Sequence, residues 1–189
     1  TDAGTIADAD FVSISNIEVL DITTDETTVI LDRYATASGI RTIDSTGATL
    51  ALKIVANTTL SSAAAPLVIS GYDFNDPDES FTLSSTGFDP VIVANFGTDG
   101  AGAGLIGGDF DYTDGLYSGD GTTAADFFEA IVDIDHSDDV VAGYTDGTDL
   151  YIFSEGVDDN ANDGVFLKIV GVGDTVTSVA TASGASAFL

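Results

Sequence analysis

No lysine or arginine occurs between Lys53 and Lys168, yet that interval holds 22 of the chain's 32 acidic residues. A chain built this way can bury only the short apolar runs that fit between its acids. The carboxylates must stay in the connecting turns, because an unpaired charge is costly to bury. Only four residues are basic, so the net charge is −28, several times the roughly 2–8 units of an ordinary small domain. Disorder does not follow. Hydrophobic residues make up 44% of the chain and mean hydropathy is +0.26, whereas disordered acidic chains are poor in apolar residues. A core is therefore expected, together with something that offsets the self-repulsion. Nucleic acid is excluded as an expected partner, since phosphates are bound by Lys and Arg. Anionic membrane surfaces are disfavoured for the same reason, and no apolar run approaches the roughly 18 residues of a membrane span.

The apolar residues are mainly Val, Ile, Leu, Phe and Tyr, interleaved with Thr and Ser, which is a β composition. Runs punctuated by Gly, Asp, Asn and Ser place candidate strands at 16–22, 27–33, 48–56, 66–72, 80–85, 91–96, 140–144, 150–154, 164–172 and 175–180. About ten short strands in 189 residues predict a mainly β chain. A β-sandwich or barrel-like single domain over residues 1–189 is expected. Residues 1–10, short and polar, are expected as an extended N-terminal arm, or as a strand exchanged between subunits. Thr145-Asp146-Gly147-Thr148 between two β runs predicts a tight hairpin. One helix is expected near 122–134. Thr122 or Thr123 would cap it, Asp126 and Glu129 fall in its early turns, and Phe127, Phe128, Ile131 and Val132 form an apolar face that packs on a sheet. Residues 95–120, rich in Gly and Asp, read as a long loop or a partly ordered excursion. No repeat of fixed period is evident, so a solenoid is not expected.

Four acidic clusters have the composition of calcium loops, which take six to eight hard oxygen ligands from carboxylates, amides and backbone carbonyls. They are Asp73, Asn75, Asp76 and Asp78 with Glu79; Asp109, Asp111 and Asp114; Asp133, Asp135, Asp138 and Asp139 beside His136; and Asp158, Asn160, Asn162 and Asp163 with Asp159. The last begins like an EF-hand loop, but its Gly falls one place late and position twelve is not Glu. Candidate metal ligands are taken from the first, second and fourth clusters, with calcium as the expected ion. The competing explanation is that Asp and Asn favour turns for backbone reasons alone.

Catalytic chemistry is poorly supplied. Cys is absent, so disulfides, thiolate zinc sites and cysteine nucleophiles are all excluded. A Ser-His-Asp site would have to use the single His136 in an Asp-rich turn. Trp, the usual sugar-stacking residue, is missing as well, and only five residues are Glu. A hydrolase built on an Asp pair is the weakest expectation, and the chain is read as a non-enzyme. Asn57-Thr58-Thr59 fits a glycosylation sequon by pattern.

Tyr144-Thr145-Asp146-Gly147-Thr148-Asp149-Leu150-Tyr151-Ile152-Phe153, followed by an Asp/Asn loop and then Val165-Phe166-Leu167-Lys168-Ile169-Val170-Gly171-Val172, resembles the C-terminal segments of RTX-type proteins. These are type I secreted bacterial proteins that include adhesins and surface-layer proteins. The small-residue end closing in Phe188-Leu189 is similar to type I secretion signals, and the 14–22 stretch is similar to strands of surface-layer proteins. The family's Gly-Gly-x-Gly-x-Asp calcium repeat is absent. The resemblance implies export to the cell surface, an extracellular structural or adhesive role and a calcium-rich setting. The expected function is thus a calcium-stabilised subunit of a self-assembling surface layer or filament, whose partners are copies of itself. The alternative is a calcium-dependent adhesin or carbohydrate-binding module that takes cell-surface glycans.

Overall fold

The computed structural model describes residues 4–55, 61–62, 64–73, 80–84, 91–92, 111–113, 116–118, 123–132, 140–154, 165–173, 179–182 and 185–188. Strands β1 (Thr5–Ile6), β3 (Thr27–Leu31), β5 (Leu50–Val55) and β7 (Ser80–Ser84) form a four-stranded sheet in that order. Its neighbours are all parallel. The strands that alternate with them along the chain, β2 (Val19–Asp21), β4 (Thr42–Asp44) and β6 (Leu67–Ser70), open a second sheet, also parallel. The chain thus passes from one sheet to the other and back. It builds stacked coils: Thr5, Thr28 and Ala51 align at steps of 23 residues in the first sheet, as do Val19 and Thr42 in the second.

The second sheet continues through β13 (Val165–Ile169), β12 (Leu150–Ser154), β11 (Val140–Thr145), β10 (Leu116–Ser118) and β9 (Asp111–Thr113), and β8 (Val91–Ile92) joins it at β11. β13 is parallel to β6, whereas β12 is antiparallel to both β13 and β11. A separate hairpin pairs β14 (Val179–Ala182) with β15 (Ala185–Phe188); β15 approaches β7 and β14 approaches β8.

The chain is mainly β, and its two large sheets face each other like the layers of a sandwich. Alternation along each strand explains why. In β3, Thr27, Val29 and Leu31 are buried while Thr28 and Ile30 are half-buried. Leu50, Leu52 and Ile54 repeat the pattern one coil later, with Val29 beside Leu52 and Leu31 beside Ile54. Across the core, Leu20, Ile43, Ile69, Ile169 and Leu150 stand in one row through five strands, and the last four are fully buried. These side chains form one cluster with Phe11, Ile22, Ala35, Ile40, Leu67, Ile152, Val165 and Leu167. A buried aliphatic side chain contributes roughly 1.5–3 kcal/mol, so the rows hold the sheets together without help from the acids.

Several sequence expectations need correction. The coils are a short solenoid, although no period was evident. The first sheet takes two steps of 23 before the spacing stretches to 29 at Ser80, and the second takes one before it stretches to 26 at Val68. Arg33, read as the last residue of a strand, instead opens helix α1 (Arg33–Ser38). Residues 95–120, read as a long loop or a partly ordered excursion, contain β9 and β10, which pair antiparallel. Residues Gly4–Asp10 pair with β3 through β1 and then enter a 3-10 turn at Asp8–Phe11 whose Phe11 is buried. The predicted hairpin is present, with Thr145 opposite Leu150. So is the helix, α2 (Ala124–Val132). Its start is closed reciprocally: the Asp126 N–H donates to Thr123 Oγ1 at 3.2 Å, and the Thr123 N–H donates to Asp126 Oδ2 at 2.8 Å. Hydrogen bonds from Thr123 hold the Asp126 carboxyl below the usual carboxylate range.

Turns at one end of the coils stack on each other as tightly as the strands do. The Ser45 N–H and hydroxyl both donate to the Ser70 carbonyl. One coil earlier, the Glu26 N–H donates to Thr49 Oγ1 at 2.7 Å, and the Thr49 N–H to Asp25 Oδ1 at 3.3 Å. Gly71 sits at φ +80°, and a Cβ there would lie 2.6 Å from Thr46 Cα and 2.7 Å from Ser45 C. Gly47, at φ +83°, has open space around it. Gly71→Ala is therefore expected to destabilise by more than about 2 kcal/mol, and Gly47→Ala by about 1 kcal/mol, measured by urea unfolding. Equal losses would mean that the close approach at Gly71 does not govern the stacking.

Candidate functional site

Most of the proposed calcium ligands fall outside the described residues: Asn75, Asp76, Asp78, Asp109, Asp114, Asp158, Asn160, Asn162 and Asp163. The cluster at Asp133–Asp139 also lies outside them, as does Asn57. Asp111 belongs to β9, in register with Ser118. Asp73 is exposed just after β6 and its turn. Among the described residues, no three His, Asp or Glu side chains come together as a metal site.

The described carboxylates mostly hold backbone. Asp8 accepts from the N–H groups of Asp32 at 3.0 Å, Tyr34 at 3.2 Å and Ala35 at 2.9 Å. A residue 24 to 27 positions earlier thus satisfies the open start of α1, where orphan N–H groups and the helix dipole favour a negative charge. Asp32 caps the same end through Arg33 N–H at 2.7 Å. Asp10 accepts from Ala7, and Asp44 from Thr46. The bonds from Thr46 keep the Asp44 carboxyl below its ordinary range. Turn geometry alone thus accounts for these acids.

The densest polar network closes the β11–β12 hairpin. Its turn runs through Asp146, whose Oδ1 accepts from Thr148 N–H at 2.9 Å and Asp149 N–H at 2.8 Å, and whose Oδ2 accepts from the Tyr151 hydroxyl at 3.2 Å. Asp149 is nearly buried. Its Oδ2 pairs with Lys168 Nζ at 2.7 Å, and its Oδ1 accepts from Gly171 N–H at 2.9 Å. The Lys168 ammonium also lies 5.4 Å from the Tyr151 ring centre. Register explains the meeting, since Tyr151 and Lys168 stand opposite each other on β12 and β13. The hydrogen bond to Asp149 raises the Lys168 pKa. Partial burial opposes ionisation of Asp146, but the N–H groups of Asp149 and Thr148, the Tyr151 hydroxyl and the Lys168 charge outweigh it and lower its pKa. Burial is the main reason the Tyr151 phenol is raised.

Tyr72, Tyr144 and Tyr151 are buried. Helix α2 lies on the outer face of the second sheet, where Phe127 stacks on Tyr144 at 5.4 Å and Phe128 meets Phe166 edge-on at 5.1 Å. The expected apolar face at Phe127 and Phe128 thus packs on a sheet.

The first coil carries the opposite kind of surface. Val12, Ile14 and Val19 are 48%, 42% and 54% exposed, and Val170 is the only other large apolar side chain exposed to this degree among the described residues. Strands β1 and β2 end their sheets, and no described strand pairs with their free edges. Sequence reasoning missed this surface because Val19 reads as an ordinary member of the candidate strand 16–22, and Val12 and Ile14 fall outside every candidate strand. Comparison with family models, curated proteins and solved structures finds no match.

Two measurements follow from the carboxylates. Asp8→Ala should cost about 1–2 kcal/mol by loss of the helix cap, and Asp149→Ala about 2–3 kcal/mol by leaving Gly171 N–H and Lys168 without their partner. Asp149→Asn, which keeps an acceptor for Gly171, should cost less than Asp149→Ala in the same urea titration. The lowered pKa of Asp146 gives stability that is present above the unfolded carboxylate value, about 4, and is lost as pH falls through the lower folded value. The hydrogen-exchange protection factors of the Thr148 and Asp149 amides should therefore fall on acidification below about pH 4; a pH-independent protection factor would contradict the assignment.

Proposed function

We propose that the protein is an extracellular structural protein, a subunit of a self-assembling cell-surface layer or filament, stabilised by calcium held in its Asp- and Asn-rich loops. The observation that carries this reading is the stack of parallel coils, a scaffold in which each coil is completed by the next one. Such architectures derive their stability from nearest-neighbour interfaces and suit extended assemblies. The acid-rich interval between Lys53 and Lys168 supports the calcium part of the proposal. At −28, two copies repel strongly unless cations neutralise the facing loops. The resemblance of residues 144–153, 165–172 and 14–22 to RTX-type surface proteins supports the location and the type I export route.

Negative-stain imaging of the purified chain tests the proposal. Polymers are expected with calcium on the order of millimolar, the range of extracellular calcium modules, and dispersal on adding excess chelator. Particles of the same size in calcium and in chelator would overturn it.

A further inference from the structure

We propose that Asp146-Gly147 is a site of self-modification, where the Asp146 peptide link isomerises to its β-linked form, and that the clasp between the β11–β12 turn and the chain after β13 holds this reaction off. The chemistry needs no partner but water. The Gly147 nitrogen attacks Asp146 Cγ, and one carboxyl oxygen leaves as water with the amide proton and the carboxyl proton. The product is a five-membered succinimide. Water then adds to the ring at the Asp146 backbone carbonyl and opens it, so that the chain runs on through Cγ. Mass is unchanged over the two steps, and the turn is one methylene longer. Glycine after aspartate favours the first step, because it has no Cβ to hinder close approach to its nitrogen.

Three sets of contacts oppose ring closure. The attacking nitrogen is engaged, since the Gly147 N–H donates to Thr145 Oγ1 at 3.1 Å. The carboxyl is engaged as well. Its Oδ1 accepts from Thr148 and Asp149 N–H and its Oδ2 from the Tyr151 hydroxyl. Such bonds favour the ionised carboxylate, whereas ring closure needs an oxygen that leaves as water. Finally, the turn is packed from outside. Thr145 Oγ1 donates to the Gly173 carbonyl at 3.1 Å, and the Gly173 N–H donates to the Thr148 carbonyl at 2.9 Å. A Cβ on Gly173 would lie 2.7 Å from both Asp149 N and Thr148 C. Asp146 itself is exposed, so water reaches it, and hydrogen bonding rather than exclusion is the restraint. The same turn places Asp149 on Lys168 and Gly171. An added methylene after Asp146 moves Asp149 away from both. Opening the clasp therefore releases the reaction, and the reaction keeps the clasp from closing again. A reversible loosening of β13 becomes permanent. Neither calcium nor assembly enters this inference.

The test is incubation of the full chain in weakly acidic buffer, followed by digestion and mass spectrometry with fragmentation that distinguishes the β-linkage at residue 146. Folded wild type is expected to isomerise there at least about tenfold more slowly than wild type in urea at the same pH and temperature. Tyr151→Phe removes the donor to Oδ2, and Thr145→Val removes the acceptor of the Gly147 N–H. Each should speed isomerisation by about fivefold, the effect of one hydrogen bond, with unchanged circular dichroism. Wild-type chains that have isomerised, separated by ion exchange, should lose amide protection at Gly171. A folded wild type that reacts at the urea rate overturns the restraint, and this comparison decides even where a variant fails to fold. Folded variants that both react at the wild-type rate overturn the assigned contacts. Full protection of Gly171 in the isomerised chain overturns the latch.

Discussion

In-register parallel pairing is the constraint on which the structure depends. Strands about 4.8 Å apart at the same height place like residues above one another. The row Leu20–Ile43–Ile69–Ile169–Leu150 follows directly from that registry. A shift of one residue would turn every one of these side chains to the opposite face. The turns share the constraint: Ser45 reaches Ser70, and Thr49 reaches both Asp25 and Glu26, only because the strands before them are aligned.

This arrangement separates the two halves of the chemistry. Apolar rows supply cohesion, and carboxylates finish the ends of helices and turns. Asp8, Asp32, Asp44, Asp126 and Asp146 each accept backbone N–H groups. An acid in such a turn satisfies a donor that would otherwise lack a partner. Part of the negative charge is thus a by-product of a fold with many short connections. The single ion pair among the described residues, Lys168 with Asp149, sits where two strands and a hairpin turn must be fixed together.

Much of the fold was legible where local chemistry decides it. Residues 150–154 are bounded by turn residues and form a strand at those limits. The Asp146-Gly147 hairpin and the helix that begins after Thr123 carry their own turn and cap residues. Where distant partners decide, the sequence was silent. Arg41-Thr42-Ile43-Asp44 holds one apolar residue, and it becomes a strand because β2 and β6 flank it. Helix α1 is six residues long and takes its cap from Asp8, a pairing that no local pattern reveals. The 23-residue step was visible in retrospect in Ile17 and Ile40, Leu20 and Ile43, Asp21 and Asp44, and Thr23 and Thr46, but a lengthened third coil hides it. For the candidate site, spacing alone cannot separate an Asp that caps a turn from one that binds a cation, because both need a carboxylate in a bend.

The placement of β13 beside β6 has a consequence for the order of events during folding. The first three coils pair segments 23 to 26 residues apart, and closing such short loops is fast. The next place in the second sheet is filled by a strand about a hundred residues further along, tied also by the Phe166 N–H to Ser61 Oγ. Contacts of such separation form slowly. Until Val165–Ile169 arrives, the nascent coils present Leu67 and Ile69 on a bare parallel edge, the surface most prone to wrong pairing with a neighbouring chain. The rate at which that one strand docks therefore sets how crowded the folding environment can be.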